Sequence, residues 1–410
     1  MRETQWDRPE PEVATRADGA IARVPFAAAP IGTPAAGTLL ALQRTIGNRH
    51  LSRLVAGRAP GRTLQRYKIL GPWNKGQAVH ETLTVLAVGR AIATLKAMGK
   101  PLDSLLSSFG TSKLPQLDKK FDFDPEYADA SFAQFIRGVV WADDPEGLLF
   151  DKDEDTSDYS SGLEWYSAFS AGEKGQFKPN KADLIPRSHF GDLQFFHGMA
   201  SAENELPSVT KGKMLNWARF LVNVATGRLS PNTKVKDIAE IKDLFPANAE
   251  WSVKQLFVYA KATDVQARQR AVGVLFHMIQ DSFAHGHVQR DPASDDIQEF
   301  HAYGSQDESS HAGYDEFRKG KNLGEQIAHT VGAPSALQRC SEVLVKIAVG
   351  LSTDEIVDYL DSVVFKLAPD LFFSGPGSGL GKKGTTTTDK PVAKPPSGDF
   401  PVPSGPDRPA

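Results

Sequence analysis

The segment 265–287 constrains the fold more than any other part of this chain. Its apolar residues recur at helical spacing, and Gly273 is its only glycine or proline before residue 286, so the sequence predicts a helix over 265–283. His277 and Asp281 are four residues apart, which places them on one face of that helix. An imidazole and a carboxylate are therefore predicted to point the same way from a largely apolar helix.

Histidines are concentrated in this segment and just after it. Five of the ten histidines fall where even scatter would place about one: His277, His285, His287, His301 and His311. His311 and Asp315 repeat the i, i+4 spacing, and His287 lies where the predicted helix ends, near Gly286. Imidazole together with carboxylate is the ligand set that suits zinc. The pattern predicts a metal site, and one that holds more than one ion.

The globular part is predicted to be nearly all helix. Its 40% hydrophobic and 24% charged residues are ordinary for a soluble domain, and clear strand alternation is absent. We predict an all-α domain over 67–373, with an irregular insert over 143–190 whose acidic run 151–158 is a solvated loop. Helical periodicity and capping patterns predict helices over 79–99, 126–140, 210–227, 235–244, 250–288, 312–331, 334–350 and 353–368.

The two ends of the chain differ from this domain in composition. Residues 1–66 and 374–410 are rich in small residues and proline and are predicted to be disordered. The leader is basic, since no acid occurs between Gly19 and His80. Within it, 39–55 has the pattern of a short amphipathic helix, which we interpret as a docking segment or a membrane-surface helix.

Several classes of protein are disfavoured by composition. The net charge of −3 provides no global basic field for nucleic acid or anionic lipid. The single cysteine, Cys340, allows no disulfide within the chain, and no apolar run is long enough for a membrane span. The first twenty residues carry acids and lack an apolar core, so we expect no secretory signal peptide and synthesis in the cytoplasm.

Three further residues extend the candidate metal set. Asp143 follows Trp141-Ala142, His197 follows two phenylalanines, and His80 opens a predicted helix. In this order the groups resemble the zinc-dependent phospholipase C and single-strand nuclease superfamily, including its Het-C-like branch. The resemblance covers roughly residues 70–330, and its most specific part is the HxxxDxxxxxH spacing of His277, Asp281 and His287 followed by HxxxD.

The resemblance implies an all-helical fold that holds two or three zinc ions. One ion would be held by Asp143, His197, His277 and Asp281, and a second by His287, His311 and Asp315. A third would be held by His80 and a bridging Asp281. In the family this third ion also takes an N-terminal tryptophan, whereas Trp73 is internal here. Either the chain is cleaved before Trp73 or the third site lacks these ligands.

The implied chemistry is hydrolysis of a phosphodiester. Zinc acts as a Lewis acid and lowers the pKa of bound water, Asp281 would bridge metals, and Asp143 or Asp144 would accept a proton from the attacking water. His285 and Phe196 are predicted to contact substrate. Trp141, His189 and His329 are interpreted as packing residues, and His311 is preferred to His301 as a ligand.

The leader carries a second resemblance. Residues 42–54, LQRTIGNRHLSRL, are similar to a segment of actinobacterial proteins associated with extracellular contractile injection systems. This implies a toxin or effector cargo that docks on the injection particle through 39–55 and is delivered to a target cell.

Three functions remain open from the sequence. The first is a phospholipase C-like enzyme acting on lipid headgroups, favoured by the sequence around Asp281 and the near-neutral charge. The second is a nuclease of the same superfamily, favoured by Trp141-Ala-Asp143 and His311-xxx-Asp315. Such an enzyme needs aromatic residues on which bases stack, for which Phe195, Phe196 or Phe283 are candidates. The third is a protein without catalysis, in which zinc only stabilises an effector or an injection-system component.

Overall fold

The computed structural model describes residues 79–107, 130–148, 159–176, 183–257, 260–307, 311, 314 and 316–382. Within these residues the chain is mostly helical, which confirms the predicted all-α class. We number the helices α1 Val79–Ala97, α2 Ala130–Val139, α3 Tyr159–Glu173, α4 Leu184–Phe190, α5 Pro207–Ala225, α6 Val253–Leu256, α7 Asp264–Asp281, α8 Leu323–His329, α9 Ala333–Ala348 and α10 Thr353–Tyr359.

Helix α7 lies at the centre of the described fold. It begins at a capping box in which Thr263 and Gln266 satisfy each other's backbone amides, and every residue from Gln269 to Asp281 is buried. Helices α1, α2, α5 and α9 pack around it. A helix covered on all sides accounts for the nearly continuous apolar sequence that precedes His277.

Helices α2 and α7 cross in backbone contact at two glycines. A Cβ atom on Gly138 would lie 2.2 Å from the Arg270 carbonyl oxygen, and one on Gly273 would lie 2.2 Å from the Phe135 carbonyl oxygen. Only glycine fits at such distances. The close crossing brings the end of α2, and Asp143 just after it, against the face of α7 that carries the histidine and aspartate.

The chain after α7 differs from the prediction. The predicted helix 250–288 is two helices, α6 and α7, and beyond Asp281 the chain turns into a hairpin of β1 (Val288–Arg290) and β2 (Ile297–Phe300). An Asx turn at Asp291, whose carboxylate accepts the amides of residues 293 and 294, closes the hairpin. With three- and four-residue strands, the alternation was too short to be recognised in the sequence.

The predicted insert and the predicted end of the domain both need correction. The region 143–190 contains α3 and α4 rather than irregular chain alone, because buried side chains such as Trp165 anchor α3. The packed chain also continues beyond residue 373. Ser374 and Leu380 are buried, and the Ser374 hydroxyl donates to the Ala202 carbonyl.

Other predictions fall outside the described residues or are shortened within them. The docking segment 39–55, Trp73, the acidic run 151–158 and Asp315 lie outside. Of the predicted helix 312–331, α8 is the helical part that the structure describes. In the described part of the chain, no helix combines the length and apolarity needed to cross a membrane.

The glycine crossing generates a stability prediction. Gly273→Ala should lower the free energy of unfolding by about 1–3 kcal/mol or more, because α2 must move away from the new methyl group. Gly212→Ala is the matched control, since its Cβ would meet nothing within 4 Å on helix α5 and alanine favours the helix. Chemical denaturation of both variants measures the difference, and equal stabilities would contradict the close crossing.

Candidate metal centre

Asp281 is the last residue of α7, and its side chain lies within a ring of four histidines. None of these five residues has exposed surface. Asp281 Oδ2 lies 2.9 Å from His277 Nε2, 3.0 Å from His197 Nδ1 and 3.5 Å from His287 Nδ1. Asp281 Oδ1 lies 3.2 Å from His80 Nε2. The structure thus brings together predicted ligands from three separate parts of the sequence: His80, His197 and the motif of His277, Asp281 and His287.

Each of these imidazoles has one ring nitrogen tied to a fixed oxygen acceptor. A carbonyl or amide oxygen can only accept, so the nitrogen that faces it carries the proton. The acceptors are Gln280 Oε1 for His80 Nδ1 (2.6 Å), the Val139 carbonyl for His277 Nδ1 (2.6 Å), the Ala142 carbonyl for His197 Nε2 (3.2 Å) and the His197 carbonyl for His287 Nδ1 (2.8 Å). This is how proteins orient histidines that bind metals.

The tautomers leave three lone pairs directed at Asp281. With their other nitrogens protonated, His80 Nε2, His197 Nδ1 and His277 Nε2 are acceptors, as is the carboxylate. His197 Nδ1 and His277 Nε2 are only 2.8 Å apart. In neutral rings, acceptors this close repel unless a proton or a metal ion lies between them. Tetrahedral zinc ligands are about 3.3 Å apart at bond lengths of 2.0–2.1 Å, so a small outward shift would fit a zinc ion.

The electrostatics of the cluster also call for a cation. Burial lowers the pKa of His80, but the Asp281 carboxylate outweighs this effect and raises the pKa to about 9. Burial raises the pKa of Asp281, yet His287, His277 and His80 hold that pKa well below its usual range. A buried carboxylate that stays ionised needs compensating positive charge, which either a proton on His80 or a metal ion would supply.

A second edge of the centre is formed by Asp143 and His189. Asp143 Oδ1 lies 3.9 Å from His197 Nδ1 and 4.0 Å from His189 Nε2, and His189 Nδ1 is tied to the Ile185 carbonyl at 2.8 Å. Among the described residues, three groupings could hold a metal ion. They are His80 with Asp143 and His277, Asp143 with His189 and His197, and His197 with His277 and Asp281.

His189 is a candidate ligand that the sequence interpretation missed. It was assigned to packing as a lone histidine, because such a residue is usually satisfied within the core. Its approach to Asp143 depends on the tertiary placement of α4, which no local pattern reports. The packing interpretation holds for Trp141, which is buried against Trp217. It is wrong for His329, which is exposed on α8.

The second predicted zinc set is described only in part. The rings of His287 and His311 stack at 5.0 Å between centroids and both are fully buried, while Asp315 is outside the described residues. His301 lies nearby, with Nδ1 at 3.1 Å from the Gly286 carbonyl. Burial lowers the pKa of His301 to about 3, so this imidazole is neutral.

The two predicted substrate contacts have different outcomes. Phe196 is 1% exposed and packs between Trp141 and Trp217, so it is a core residue and the prediction of substrate contact is wrong. His285 is half-buried beside Tyr314 and is not one of the four histidines around Asp281. Burial lowers its pKa and keeps it neutral. A contact between His285 and substrate stays a prediction.

In comparisons of the whole chain with known proteins, no family profile, curated protein or solved structure matches this chain. The site is therefore defined by its own residues, which are buried histidine and aspartate side chains that could hold a metal ion.

The ring of histidines around Asp281 predicts that removing one of them weakens metal binding. His277→Ala should weaken binding of a divalent metal such as zinc by at least about tenfold, since even outer partners of ligands contribute 10–100-fold. Elemental analysis after gel filtration measures the metal retained per chain. His329→Ala, an exposed histidine, is the control and should retain the wild-type amount. Equal zinc content in all three proteins would contradict the assignment.

Proposed function

We propose that this protein is a zinc-dependent phosphodiester hydrolase of the phospholipase C type, related to the zinc-dependent phospholipase C and single-strand nuclease superfamily. The observation that carries the proposal is the convergence of His80, His197 and His277 on Asp281 with their lone pairs inward. The motif order along the sequence, from His80 to His311, supports the same family. Zinc is favoured because the donors are imidazole nitrogens and carboxylate oxygens.

The chain's own residues suit this chemistry. Bound zinc would polarise a phosphoryl oxygen and lower the pKa of a water molecule. Asp281, which is surrounded by histidines fixed by hydrogen bonds, would bridge the metal ions and fix their positions. Asp143 is the edge of the centre that retains some exposure, with a side chain 7% exposed against 0% for Asp281. We assign Asp143 as the proton acceptor, because a proton can leave from there to solvent.

Lipid headgroups are the favoured substrate class. A single-strand nuclease needs aromatic platforms on which bases stack. The candidate platforms from the sequence, Phe195, Phe196 and Phe283, are all buried. The net charge of −3 also gives no general attraction for a polyanion. A nuclease of the same superfamily is the alternative function, and a paired assay on lipid and DNA distinguishes the two.

One observation favours a second candidate, a metal that only stabilises the fold. His80, His197, His277 and Asp281 have no exposed surface, and structural zinc sites are closed whereas catalytic ones keep an open position. In that case the protein would bind zinc tightly without turnover. Delivery as a toxin or effector cargo by an injection system, with docking through 39–55, stays a prediction because that segment lies outside the described residues.

A paired assay tests the proposed activity. Zinc-loaded protein is incubated with phosphatidylcholine liposomes and, in parallel, with single-stranded DNA. We expect release of the phosphorylated headgroup from the liposomes, and a loss of more than about 100-fold in Asp281→Asn, since outer partners of ligands alone contribute 10–100-fold. Circular dichroism checks that the variant stays helical. Cleavage of DNA alone would favour the nuclease, and stoichiometric zinc without hydrolysis of either substrate would favour the structural role.

A further inference from the structure

The Asp143 and His189 edge of the metal centre is built by the region that the sequence marked as an insert. Asp143 precedes helix α3 in the chain and His189 follows it, near the end of α4. Their side chains approach to 4.0 Å, and the ring of His197 lies 5.3 Å from that of His189. The relative placement of these two side chains therefore depends on what holds the turn after α2 against α4.

Trp165, on α3, contacts both of them. Its indole N–H donates to the Asp143 backbone carbonyl at 2.9 Å, and the side chain is 1% exposed. The indole meets the His189 ring edge-on at 5.7 Å and stacks on Phe169 at 5.0 Å, while Phe169 meets His189 at 5.1 Å. The Asp143 amide in turn donates to the Val140 carbonyl at 3.2 Å. The backbone of Asp143 is thus fixed on both sides.

Glu146 makes a second link between the same two segments. Its carboxylate accepts the backbone amides of Leu184 at 2.7 Å and Ile185 at 3.4 Å, at the start of α4. The N-cap residue, Asp183, makes no side-chain cap of its own, so Glu146 satisfies amides that begin the helix. The Ile185 carbonyl then accepts from His189 Nδ1. A short chain of contacts connects Glu146 with the imidazole at the centre.

We infer that Trp165 and Glu146 are positioning residues of the metal centre, and that α3 and α4 form a clamp that sets the spacing of Asp143 and His189. This inference rests on the proposed metal centre and extends it, because it gives helices α3 and α4 a role in positioning the ligands. Groups that orient metal ligands typically contribute 10–100-fold to metal affinity.

The test compares two buried tryptophans. Trp165→Phe removes the hydrogen bond to Asp143. Trp217→Phe makes the same change at a fully buried indole whose Nε1 has no hydrogen-bond partner among the described residues. Zinc affinity is measured by chelator competition on the full chain, and the visible absorption of the cobalt-loaded protein reports ligand geometry. We expect about tenfold weaker zinc binding and an altered cobalt spectrum for Trp165→Phe. Trp217→Phe should lose stability but keep the affinity and spectrum of the wild type.

Glu146 provides an independent pair of variants if Trp165→Phe does not fold. Glu146→Gln retains an oxygen that accepts the Leu184 amide and should preserve zinc affinity, while Glu146→Ala should weaken it. Wild-type affinity in both Trp165→Phe and Glu146→Ala, with wild-type zinc content, would overturn the clamp and leave the proposed function intact. A wild-type chain that binds neither zinc nor cobalt would overturn the metal centre and the clamp together.

Discussion

A carboxylate without solvent exposure at the end of the central helix is the constraint around which the described structure is organised. An ionised Asp281 in the interior is unfavourable unless charge and hydrogen bonds compensate it. Four histidines do so from different parts of the chain, and one of them, His287, also anchors the chain that leaves α7 toward the hairpin. The ring needs compensating positive charge, which a proton or a metal ion would supply, and the proposed chemistry would place a metal there.

The packing of α2 against α7 determines how accurately the side chains of this centre are positioned. Because Gly138 and Gly273 let α2 and α7 touch, the Val139 carbonyl can accept from His277 Nδ1 at 2.6 Å. The same carbonyl end of α2 leads into Asp143, whose side chain faces His197 and His189. A change of a few tenths of an ångström at the crossing would reach the candidate ligands directly, since α7 carries His277 and Asp281 and Asp143 follows α2.

The sequence was sufficient for the features that depend on local spacing. The i, i+4 pair of His277 and Asp281 and the helical class both follow from periodicity. His189 and the Glu146 contact could not be predicted, since they arise from tertiary approach across the chain. Phe196 was misassigned because an aromatic residue beside a histidine has the same sequence pattern whether it faces substrate or the core. The hairpin was missed because its strands are three and four residues long.

Anomalous diffraction at the zinc edge, from crystals of the zinc-loaded protein, decides whether Asp281 and His277 hold a zinc ion. We predict a peak at about 2.0–2.2 Å from an Asp281 carboxylate oxygen and from His277 Nε2, with His197 or His80 completing the ligands. The histidine nitrogens opposite the metal should keep their hydrogen bonds to the Val139 and Ala142 carbonyls. Crystals that show no anomalous peak there, with His277 still hydrogen-bonded directly to Asp281, would contradict it.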